Sequence, residues 1–65
     1  MKKKDIKKIA QKIAEAEYVI QTSNDHYACA EAQKEIINLT NKIDDLDAMC
    51  EIDDMVQEIL KNFNV

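Results

Sequence analysis

Three features of this 65-residue chain predict an all-α fold, a helical hairpin followed by a third helix. Apolar residues recur at alternating steps of three and four, the period of one face of an α-helix. Neither Gly nor Pro occurs to interrupt them. The rhythm fails at only two places, the cap-forming cluster Thr22-Ser23-Asn24-Asp25 and the aspartate-rich stretch around residues 41–47.

The first helix is expected over residues 4–21. Ile6, Ile9, Ile13, Ala16 and Ile20 fall on one face, while Lys7, Lys8, Gln11, Lys12 and Glu15 are left for solvent. Thr22 to Asp25 then ends it. With no glycine available, Asn24 is the best candidate for a left-handed residue there, and one of the four side-chain oxygens should cap the helix that follows.

The second helix is expected over residues 25–43, with Cys29, Ala32, Ile36, Leu39, Ile43 and Leu46 as its apolar face. Ala28, Ala30 and Ala32 keep its first turns slim enough for close approach. Beyond Leu46 the next apolar residue is reached one step early, at Met49, which indicates a break or a stammer. Asp44, Asp45 and Asp47 stand at that joint, where aspartates serve as caps and complement the dipole of a first turn. A third helix is therefore expected over residues 46–61, with Met49, Ile52, Val56, Ile59 and Phe63 as its apolar face. One bent helix from residue 26 to about 61 is the alternative.

Length bounds what such a chain can do. It has room for one small domain over residues 1–65, which buries only about 60% of its unfolded surface and gains from oligomerisation or very regular helix packing. A third helix folded back on the hairpin or exchanged with a second copy are both expected solutions, and a homodimer is preferred to a monomer. The basic opening is followed by Gln11, Lys12, Glu15 and Glu17, unlike a secretory signal, and only Cys29 and Cys50 are available for a disulfide. A soluble protein of a reducing bacterial cytoplasm is expected, since no run is long and apolar enough for a membrane span.

The charge is unevenly placed. Residues 1–17 hold six lysines against three acids, and residues 44–65 hold seven acids against one lysine, within a net charge of −4. In an up-down-up arrangement the starts of the first and third helices share one end, so part of this asymmetry is expected to be compensated inside the molecule. There is no arginine, the residue that reads guanine edges and clamps phosphates, which counts against sequence-specific nucleic-acid recognition.

Candidate chemistry is sparse. Asp44, Asp45, Asp47, Glu51, Asp53, Asp54 and Glu58 form an acidic face suited to a basic partner, with ordinary helix-start stabilisation as the competing explanation. Lys2, Lys3, Lys4, Lys7, Lys8 and Lys12 crowd a helix start, where a solvated face or an anionic partner would account for them. His26 and Cys29 share a helical face, with Cys50 as the third ligand a zinc site would draw on, but one ligand pair is short of the pattern of a structural zinc site, and no cofactor is expected. Cysteine–histidine catalysis would need a concave pocket that three short helices rarely form, so the chain is not expected to be an enzyme. Tyr18 and Tyr27 flank the first turn and are expected to meet across it. Ile37 and Met55 lie off the apolar stripes and would mark a second contact surface if exposed together.

The expectation is a non-enzymatic interaction protein, an adaptor, regulator or inhibitor of a larger protein or protein–nucleic-acid complex. Its size and acidity would suit a phage or mobile element acting on a host system. A nucleic-acid-binding module using the lysine cluster and a purely structural oligomerisation element are the competing classes. The oligomer and core seam is assigned to Ile6, Ile9, Ile13, Ile20, Ile36, Leu39, Ile43, Leu46, Met49, Ile52, Val56 and Ile59.

Overall fold

Two local breaks in an otherwise helical chain produce three α-helices. The computed structural model describes residues 2–63. They form α1 (Lys3–Thr22), α2 (His26–Asn41) and α3 (Leu46–Phe63). No strand occurs among the described residues, and none of the described helices is long and apolar enough to cross a membrane.

The first break is built by side-chain oxygens. The Thr22 hydroxyl donates to the Tyr18 carbonyl at 2.8 Å and the Ser23 amide donates to the Val19 carbonyl at 2.8 Å, so last-turn acceptors of α1 are satisfied without a glycine. Ser23 is extended (φ −84°, ψ 138°) and turns the chain away. Its hydroxyl accepts from the Asp25 amide at 3.1 Å, and Asp25 Oδ1 accepts from the Tyr27 amide at 3.0 Å, which caps α2. The left-handed role expected of Asn24 is not used, since no described residue has a positive φ. The extended exit through Ser23 makes it unnecessary.

The second break divides what could have been one long helix. The Lys42 and Ile43 amides donate to the Leu39 and Thr40 carbonyls at 3.2 and 3.1 Å, tightening the end of α2. Asp45 then caps α3. Its Oδ1 accepts from the Asp47 amide at 3.0 Å, and its carbonyl accepts from the Met49 amide at 3.0 Å.

α1 is the centre of the fold. Both α2 and α3 rest on it, whereas α2 and α3 scarcely meet each other. The Cα envelope of 34 × 27 × 16 Å is little more than two helix layers thick. The course is up-down-up: the rings of Tyr18 and Phe63, near the ends of α1 and α3, stand edge to face with centroids 5.2 Å apart. Tyr18 therefore packs on Phe63 and not on Tyr27, which is 77% exposed.

A helix with two neighbours must bury a wide arc, and α1 does so with small residues. Ile6, Ala10, Ile13, Ala14 and Ala16 are all buried, and Ala10 and Ala14 are fully enclosed. These alanines lie outside the expected stripe; the second neighbour demands them, since small side chains let two helices approach one axis. α2 buries Ala32 and Leu39. α3 buries Ala48, Ile52, Val56 and Leu60, a row at steps of four that is turned slightly from the expected stripe. Ile9, Ile36, Ile43, Met55, Ile59 and Phe63 are half-buried around this core, and Ile20 and Met49 are half-buried as well. Leu46 departs from its expected place in the seam and is 79% exposed. The break at residues 42–45 resets the helical phase and turns it outward.

Candidate interaction surfaces

The seven carboxylates of the acidic segment are all exposed, but they do not form one site. Asp45 is committed to capping α3. Asp47, Glu51, Asp54 and Glu58 follow steps of four, three and four and so align along one side of α3. Asp53 belongs to another side, the one it shares with Leu46 seven residues earlier.

The lower part of the aligned row borders a groove. Lys7 of α1 forms one wall, Asp54 and Glu58 of α3 form the other, and Met55 and Ile59 lie between them. Opposite charges border this groove, Lys7 on α1 and Asp54 and Glu58 on α3. Both walls are exposed, so the attraction is worth at most about 1 kcal/mol and is weakened by salt. Around the outside of α1, Lys4, Lys7, Lys8 and Gln11 line a neighbouring depression. On the other flank, Asp5, Lys8, Ile9 and Lys12 face Leu39 and Lys42 of α2.

A second surface lies at the corner where α2 gives way to α3. Leu46 is 79% exposed and Ile37, in the last turns of α2, is 58% exposed. Ile36, Ile43 and Met49 of the same segments are half-buried. Asp44, Asp45 and Asp47, next to Leu46 in sequence, are exposed, and so is Asp53 two turns further along α3. The apolar rhythm conceals this corner, because it counts Leu46 with the core; the aspartates that enforce the break are the signal that could have revealed it. Met55 is half-buried and borders the α1–α3 groove, so it is not exposed together with Ile37 and the two do not mark a shared surface.

The remaining candidates are dispersed. Cys29 is half-buried with its Sγ turned to the carbonyls of Ser23 and Ile20 at 3.7 and 3.9 Å, where the thiol closes the α1–α2 turn. His26 and Cys50 are exposed. Among the described residues there is no grouping of three His, Cys, Asp or Glu side chains placed to hold a metal ion. Compared with protein-family models, curated proteins and solved structures, the chain matches none of them.

Proposed function

We propose that this chain is a non-enzymatic interaction protein, a regulator or inhibitor that engages a basic surface of a larger protein through the α2–α3 corner. The observation that carries this reading is Leu46, a large apolar side chain 79% exposed at the start of α3, with exposed Asp44, Asp45 and Asp47 beside it in sequence. An apolar anchor inside a polar rim is the usual anatomy of a protein interface, with the anchor supplying affinity and the rim supplying steering and specificity. The complementary partner presents an apolar pocket edged by Lys or Arg.

Affinity capture from the native host tests this reading. The wild-type chain is compared with Leu46→Asp and with Asp44→Lys/Asp53→Lys, each first shown by circular dichroism to keep its helicity. Leu46 begins α3, where an aspartate is compatible with the helix dipole, so the first variant removes the anchor while sparing the fold. The expected result is a basic protein retained by the wild type and reduced at least tenfold with either variant. A partner held equally well by all three chains sinks the proposal.

A further inference from the structure

We infer that the groove between α1 and α3 is a homodimer interface and that its occupant is the same groove of a second copy. Read across the groove, the surface runs positive, apolar, negative: Lys7, then Met55 and Ile59, then Asp54 and Glu58. Lys4, one turn earlier on α1, extends the basic wall. Glu51 extends the acidic wall one turn toward the start of α3.

This order is self-complementary under one two-fold operation. An axis in the plane of the interface and along the groove exchanges left for right. It places the basic wall of each copy over the acidic wall of the other and brings the two apolar floors together. An axis in that plane but across the helices would set lysine against lysine and carboxylate against carboxylate. Lys7 shares the groove with Asp54 and Glu58, so the favourable axis needs no sliding of one copy along the other. The resulting layer contains α1 and α3 from both copies, all running in the same direction.

The mixed charge of the groove is what selects a second copy as occupant. A uniformly basic partner meets Lys7 and a uniformly acidic one meets Asp54 and Glu58, whereas the chain's own groove satisfies both walls at once. Two helices of 20 and 18 residues are about 27–30 Å long and lie about 8–10 Å apart. They offer a face of roughly 500 Å² per copy, near the lower limit of specific interfaces. The dimer is therefore reversible and weakened by added salt.

Sedimentation velocity with paired charge reversals tests the arrangement. The wild type should pass from monomer to dimer between about 10 μM and 1 mM at low salt. Lys4→Glu/Lys7→Glu makes both walls acidic, and Asp54→Lys/Glu58→Lys makes both basic. Each alone should remain monomeric, and an equimolar mixture should form a heterodimer. Circular dichroism verifies folding, and the four-site variant Lys4→Glu/Lys7→Glu/Asp54→Lys/Glu58→Lys, which exchanges the two walls within one chain, should recover self-association if either two-site variant is unstable. Leu46→Asp lies outside the groove and should dimerise like the wild type, which separates this inference from the proposed partner site. A wild type that stays monomeric throughout, or a mixture that fails to associate, overturns the assignment and leaves the groove to a different occupant.

Discussion

Replacing Ile52 and Leu46 with alanine, one at a time, separates the apolar periodicity from the burial it is meant to foretell. Both residues are assigned to the core seam by their apolar periodicity, yet Ile52 is 2% exposed and Leu46 is 79% exposed. Ile52→Ala removes three carbons from a site enclosed within the cluster of Ile6, Ala10, Ile13, Ala14, Val56 and Leu60. A cavity there costs about 2–5 kcal/mol. At roughly 0.05–0.15 kcal/mol per residue, a fold of this length has about 3–10 kcal/mol in total, so the substitution removes a large part of its stability. Leu46→Ala loses little packing and should stay within about 0.5 kcal/mol of the parent. Urea denaturation followed by far-UV circular dichroism, at a protein concentration where the chain is monomeric, measures both. Equal losses for the two variants, or a loss below about 1 kcal/mol at Ile52, would refute the core described above.

Three further outcomes follow from local features. Asp25→Ala and Asp45→Ala should each cost about 1 kcal/mol in the same denaturation experiment, while the Asn variants, which retain a capping oxygen, should stay close to the parent. Ala14→Leu should cost about 1–3 kcal/mol by overfilling the helix contact, and Ala30→Leu, on the exposed side of α2, should be nearly neutral; reversal of that order contradicts the central position of α1. A double-mutant cycle on Tyr18→Ala and Phe63→Ala should yield a coupling of about 0.5–1.5 kcal/mol. No coupling is expected between Tyr18 and Tyr27.

The helices and both interruptions were legible because they rest on local chemistry: the period of the apolar residues, the hydroxyls of Thr22 and Ser23, and the carboxylates of Asp25 and Asp45. Tertiary demands were less visible. Ala10 and Ala14 carry too little hydrophobic signal to announce that α1 has two neighbours, and only the packed arrangement gives them their importance. Leu46 kept the rhythm of the preceding helix although the break had already turned its face to solvent. Tyr18 had a near candidate in sequence, Tyr27, but its partner Phe63 lies at the far end of α3. The acidic segment was recognisable by composition, whereas its division into a cap, a groove wall and the rim of an exposed leucine depends on helical phase and on where Lys7 comes to rest.

Because α2 and α3 lean on α1 separately, the molecule can come apart in stages. α2 has two buried side chains, Ala32 and Leu39, against four on α3, so lifting α2 away exposes less grease and costs less. Amide protons should then exchange first along α2, later along α3 and last along α1, giving this small protein a graded order of opening with its first helix as the final holdout.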